Sequence, residues 1–197
     1  MKGYFKNESA TAETLNDGLL FTGDRGYFDE DGFLYVVGRE KALLISPDGE
    51  KYSPEEIEEA IINSSDLIHQ AVVYNDHSPY TGALLTLDEE KVRARMRNDG
   101  ISDADSLLDA LKASMYRFEE DPAYKRRFPS QWIPSTFQVL EEPFSEENKM
   151  INSSMKMVRY KIIEAYADRI DAMYADDGQN HRNERNRRAV RRLFELS

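Results

Sequence analysis

Short apolar clusters at Leu19-Leu20-Phe21, Gly26-Tyr27-Phe28 and Phe33-Leu34-Tyr35-Val36-Val37 are separated by turn residues, a pattern of strands rather than helices. Asp29-Glu30-Asp31-Gly32 joins the second cluster to the third, so residues 18–39 are expected to contain a hairpin. After Gly38-Arg39 come an apolar run from Ala42 to Ile45 and a turn at Pro47-Asp48-Gly49. A helix then opens at Ser53-Pro54-Glu55-Glu56: serine followed three residues later by glutamate reads as a capping box, with proline in the first turn. Strands follow at about 69–75 and 80–87, polar helical segments extend to about 128, and a further strand lies near 135–140. Residues 143–155 read as a polar loop. From Met157 the spacing of Val158, Ile162, Ile163, Tyr166, Ile170 and Met173 predicts one helical face, which Asp177-Gly178 ends. The mixed order of elements predicts an α+β chain.

Composition narrows the function. The chain has 197 residues, 40% of them hydrophobic, sufficient for one ordinary core or a small core beside part of another. Its net charge of -11, from 37 acidic and 26 basic residues, disfavours a polyanion-binding surface and hence nucleic acid as a partner. Cysteine is absent, which removes disulfides, a thiolate nucleophile and cysteine-based zinc sites. There is neither an apolar run of spanning length nor a signal-peptide pattern at the start, so a cytoplasmic location is expected. The acids at 29–31 do not make an EF-hand, because Phe33 and Leu34 occupy its fifth and sixth positions. His69, His77 and His181 lack ligand spacing, and no protein-bound metal is assigned.

A longer constellation is more specific. In order, Gly3-Tyr4-Phe5, Thr14, Asp17-Gly18, Thr22-Gly23-Asp24, Gly26, Asp31-Gly32, Gly38-Arg39, Lys41, Gly49, Pro54 and Glu56-Ile57-Glu58 resemble the late motifs of the adenylate-forming superfamily of acyl-CoA synthetases, luciferases and peptide-synthetase adenylation domains. Asn148-Lys149-Met150-Ile151-Asn152-Ser153-Ser154-Met155-Lys156-Met157-Val158-Arg159 resembles the catalytic-lysine segment of long-chain fatty acyl-CoA synthetases. The helical insertion at about 95–130 and Ile170-Asp171-Ala172-Met173-Tyr174 look like the same subgroup. The resemblance covers about residues 1–175.

That resemblance implies an α+β arrangement with a β-rich hairpin remnant of a large N-terminal domain at residues 1–39. A small mixed α/β C-terminal lid domain with a helical insertion would span 40–176, and a basic C-terminal extension 177–197. It implies an AMP-forming ligase that joins a long-chain fatty acid to coenzyme A, using ATP and Mg2+, with the chain alone inactive. The glycine-rich phosphate loop and the magnesium-holding glutamate segment of the family do not occur in it.

By the same resemblance Asp24 and Arg39 hold the nucleotide ribose and Val36 lies beside the nucleotide. Lys41 is the hinge, Gly49 lines the coenzyme A tunnel, and Lys156 is the catalytic lysine of adenylation. The local chemistry suits these roles: a carboxylate offers two acceptors to two hydroxyls, arginine is a permanently charged planar fork, and glycine admits close backbone approach. On the residues alone, Asp24 and Gly49 are ordinary turn residues, Val36 an inward strand residue, and Arg39, Lys41 and Lys156 exposed cations. Two departures stand out: Met155 replaces the glycine that many relatives have before the lysine, and Asp48-Gly49 replaces a glycine pair.

The partners implied are the chain's own N-terminal AMP-binding domain, the fatty acid, ATP and coenzyme A. Alternatives are an adenylate-forming ligase with another acyl substrate or acceptor, and a non-catalytic interaction module. The tail arginines Arg182, Arg185, Arg187, Arg188, Arg191 and Arg192 leave open peripheral contact with an anionic membrane or docking on the protein's own acids. Exposed strand surface in residues 1–39 leaves open a homodimer.

Overall fold

The computed structural model describes residues 1–39 and 42–196. The chain opens with α1 (Glu8–Thr14), whose first turn is capped by Asn7 Oδ1 accepting from the Ala10 amide at 3.0 Å. A two-residue ladder joins β1 (Leu15–Asn16) to β2 (Leu19–Leu20). The expected hairpin forms between β3 (Asp24–Phe28) and β4 (Leu34–Arg39), which pair antiparallel. Its turn is closed by Asp29, whose Oδ1 accepts from the amides of Asp31 at 3.0 Å and Phe33 at 2.8 Å. These amide donors, led by Phe33, hold the Asp29 carboxyl below its ordinary value. The register slips between Arg25 and Gly26, a bulge that twists the ribbon. The chain divides into two units at Leu43 and Leu44, and none of residues 1–36 is buried.

The second unit begins with β5 (Leu44–Ile45) and β6 (Lys51–Tyr52), paired antiparallel around the turn at Pro47-Asp48-Gly49. Next come α2 (Glu55–Ser64), β7 (Ile68–Tyr74) and β8 (Gly82–Leu87). Then come α3 (Glu89–Asp99) and α4 (Ala104–Met115), started by Asp88 and Asp103, whose side chains accept from the Lys91 and Ser106 amides. β9 (Thr136–Val139) then joins the sheet in the order β7-β8-β9, antiparallel to parallel.

Both faces of this sheet are covered, so β8 is buried along its whole length. On one face Val73, Ala83, Leu85, Phe137 and Val139 pack with apolar residues of α2 and α4, including Ile57, Ile61, Leu107 and Leu111. On the other, Val72 and Leu84 pack with Phe144, Ile162, Ile170 and Met173. Alternate strand residues thus serve opposite faces, as the pleat dictates. Full burial of each such large side chain contributes about 1.5–3 kcal/mol.

Two local expectations are corrected. Ser53 does not cap α2: Pro54 occupies the cap position with no side-chain bond, Ser53 Oγ donates to Glu55 at 3.4 Å, and Glu56 pairs with Arg127 at 3.2 Å. The helix expected from Met157 is two helices, α5 (Arg159–Ala165) and α6 (Ala167–Met173), parted at Tyr166 (φ -113°, ψ 26°). Both halves pack the same face against the sheet, which is why the apolar spacing runs on through the break.

The basic tail forms α7 (Glu184–Phe194), with Asn183 accepting from the Asn186 amide at its start. Ala189, Val190 and Phe194 are buried in the main core, so its apolar side faces inward. Its arginines meet acids of the same unit: Arg187 pairs with Asp105 at 2.7 Å, Arg185 with Asp168 at 2.9 Å and Arg192 with Glu141 at 3.1 Å. Just before it, Arg182 and His181 grip Asp109, and the Arg182 bond above all holds that carboxyl at about 2. Asn186, fully buried, accepts from the Val139 amide at 2.8 Å and donates to the Phe137 carbonyl at 3.0 Å. One side chain thereby bridges two backbone groups of β9. Among the described residues no helix is long and apolar enough to cross a membrane.

Candidate functional site

Asp24 opens β3 just after Gly23, and its amide donates to Thr22 Oγ1 at 3.1 Å. Antiparallel pairing sets it opposite Arg39 at the far end of β4, so the ladder brings these two sequence-selected positions together across the strands. Val36 pairs with Gly26 beyond the bulge and is 66% exposed; it is not the inward strand residue of the local reading. Stacked Tyr27 and Tyr35, 5.2 Å between centroids, follow along the ribbon. Lys41 lies outside the described residues.

Gly49 and Lys156 belong to the second unit and lie on separate turns. Gly49 has φ +84°, a left-handed conformation that suits glycine, and its amide donates to the Ser46 carbonyl at 2.8 Å. Asp48 is tied inward: its Oδ1 accepts from the Ser46 hydroxyl and from the Glu50 amide. Those bonds, the serine's first, hold the carboxylate below its ordinary range. The acid next to Gly49 is therefore ionised and engaged with its own turn.

Lys156 stands at the end of a tight loop organised by Asn152. Asn152 Oδ1 accepts from the amides of Ser154 and Lys156, both at 3.0 Å, while the Asn152 amide donates to the Lys156 carbonyl at 2.9 Å. Met155 takes φ +59° at the tip and is exposed, as is Lys156. A bridge between Ile151 and Met157 closes the loop. The lysine is thus an exposed cation on a fixed backbone, an arrangement able to meet an anionic group brought to it.

Three residues beyond Lys156, Arg159 forms a charged pair with Glu58 to which the sequence reading gave no role. Arg159 Nη2 donates to both carboxylate oxygens of Glu58 at 2.7 Å, and Nη1 to the Val73 carbonyl at 2.9 Å. The Val73 amide donates to Glu58 Oε1 at 2.6 Å. Burial holds the Glu58 carboxyl above its ordinary value, a rise that the Arg159 guanidinium opposes without cancelling. The available signal was Glu58 itself: an acid among Ile57, Ala60 and Ile61 on the inward side of α2 requires a cation to join it there.

Comparison with known proteins gives the arrangement a lineage. Residues 41–178 match the family model described as the AMP-binding enzyme C-terminal domain. The chain belongs to that family. The family's segment contains the Gly49 turn, the Lys156 loop and the Glu58–Arg159 pair, and it ends before α7. Over 175 residues the chain is 33% identical to long-chain-fatty-acid–CoA ligase FadD15 of Mycobacterium tuberculosis, an alignment covering 87% of this chain and 29% of the relative. The chain thus spans less than a third of that relative's length. The adenylation domain of a carboxylate reductase from Mycobacterium chelonae superposes with a TM-score of 0.74 at 27% identity, covering 88% of this chain and 26% of that one. The A-PCP didomain of carboxylic acid reductase from Segniliparus rugosus, solved in complex with AMP, gives 0.70 at 26% identity, covering 88% of this chain and 23% of that one.

Proposed function

We propose that this chain is the C-terminal part of an AMP-forming long-chain fatty acid–CoA ligase, which makes acyl-CoA, AMP and pyrophosphate from fatty acid, ATP and coenzyme A. The observation that carries the reading is the alignment with the long-chain ligase, which extends over 87% of the chain. In this reading residues 1–39 complete a large N-terminal AMP-binding domain. The second unit is the lid and Lys41 the hinge. Asp24, Val36 and Arg39 border the nucleotide, and Gly49 borders the coenzyme A arm.

Adenylation brings a fatty carboxylate against the α-phosphate of ATP, two anions that repel. Lys156, exposed on the Asn152-held loop, supplies a cation able to bridge carboxylate and phosphoryl oxygens as negative charge redistributes. Magnesium in this chemistry neutralises phosphate charge. We assign the metal to the large domain, where the resemblance puts the magnesium-holding glutamate. The thiol that attacks the acyl-adenylate belongs to coenzyme A, and a chain without cysteine suffices.

The test uses the full-length ligase and reads the half-reactions separately. Lys156→Ala is expected to lose about 10²–10³-fold in acyl-adenylate formation, while thioester formation from supplied acyl-adenylate and coenzyme A survives. Intact adenylation would overturn the assignment. A second reading keeps adenylation but changes the acceptor, and the likeness to carboxylate reductase adenylation domains favours it. Absence of acyl-CoA among the wild-type products would select that reading.

A further inference from the structure

Lys156 is held on both sides. Upstream, Asn152 binds its amide and its carbonyl oxygen. Downstream, only Met157 and Val158 separate it from Arg159, whose guanidinium reaches Glu58 on α2 and the Val73 carbonyl on β7. Val158 is fixed as well, its amide donating to the Met150 carbonyl at 2.7 Å. The path from the lysine backbone to the rigid sheet is therefore short, with a hydrogen-bonded group at almost every step.

We propose that Glu58 and Arg159 are positioning residues for Lys156: a buried tether that fixes where its ammonium stands relative to the reacting atoms, without touching them. The inference rests on the function proposed above. Glu58 is 3% exposed and the Arg159 side chain 16%, so the carboxylate is buried and the guanidinium largely so. Such a pair often contributes no more stability than apolar residues of the same size, so stability alone gives little reason for its presence. What it supplies is orientation. A planar fork bound to two carboxylate oxygens and a carbonyl admits one placement, whereas an ammonium would not fix it. Misplacement of a reacting group by about 1 Å can cost roughly 10²-fold in rate, so a tether of this kind acts on the chemical step.

The experiment again uses the full-length ligase, with Lys156→Ala as reference beside Arg159→Lys, Glu58→Gln and the double variant Glu58→Met/Arg159→Met. Arg159→Lys and Glu58→Gln are expected to lower adenylation by about 10–100-fold. The loss should fall in kcat rather than in KM for ATP or fatty acid, with thioester formation from supplied acyl-adenylate retained. The double variant fills the site with apolar side chains but leaves the Val73 amide and carbonyl without partners, so it is expected to unfold at a lower denaturant concentration than wild type, to remain folded without denaturant, and to adenylate slowly. Rates taken on fully folded protein, with thioester formation from supplied acyl-adenylate retained, separate positioning from folding. Wild-type adenylation in Arg159→Lys or in the double variant, beside an inactive Lys156→Ala, would overturn this inference alone. A parallel fall of both half-reactions would also overturn it, leaving the pair as part of the fold. Active Lys156→Ala would overturn the assigned function and this inference with it.

Discussion

Gly49 shows how far one residue was legible. Its place after Pro47-Asp48 announced a turn, and its φ of +84° is the conformation glycine adopts most cheaply. Open space surrounds the position where a Cβ would stand, so Gly49→Ala meets no clash and suffers only backbone strain. The expected loss is about 1 kcal/mol, read as a lowered urea midpoint with unchanged slope. A slowed thioester half-reaction in the same variant, beyond what the fraction folded explains, would support the coenzyme A role. Glu58 was not legible in this way. Its partner stands 101 residues away, and no local pattern names a partner at that distance. Asp24 and Arg39 lie between these cases: motif order selected both, and strand register brings them opposite each other.

At the scale of elements, the sequence announced what short-range chemistry controls. The β3–β4 hairpin follows from Asp29-Glu30-Asp31-Gly32, because Asp29 closes the turn with its own carboxylate. The strands at 68–74, 82–87 and 136–139 fall within two residues of expectation. The apparent capping box failed because α2 starts one residue later, with Pro54 rather than Ser53 at the cap position, and Glu56 pairs with Arg127 instead. The break at Tyr166 escaped because periodicity reports which face is buried, not whether the backbone is continuous. For α7 the arginines were conspicuous, but the decisive residue is Asn186. Replacing it with alanine strips the Val139 amide and the Phe137 carbonyl of their buried partner. At about 1–3 kcal/mol for each group left unsatisfied, Asn186→Ala is expected to destabilise the second unit by about 3 kcal/mol in urea unfolding. A change within a few tenths would mean that water replaces the amide.

Across the whole molecule, among the described residues, every member of the two apolar clusters lies from Leu44 onward. Phe5, Phe28, Phe33 and Val36 are all more than half exposed, a surface suited to cover by the large domain of the proposed ligase. Amide exchange on the isolated chain is therefore expected to divide at residue 43. Fast exchange should prevail before it and protection should extend through β7, β8 and β9; equal protection on both sides would contradict the division. The side chains at the rims of the three-stranded sheet have a further consequence. An unpaired strand edge is a template that recruits another chain. Here Glu58 and Arg159 occupy the amide and carbonyl of Val73 on one rim, and Asn186 the Phe137 carbonyl and the Val139 amide on the other. Each rim is interrupted at these positions, and a second molecule adding a strand there would first have to displace the side chains that hold the groups.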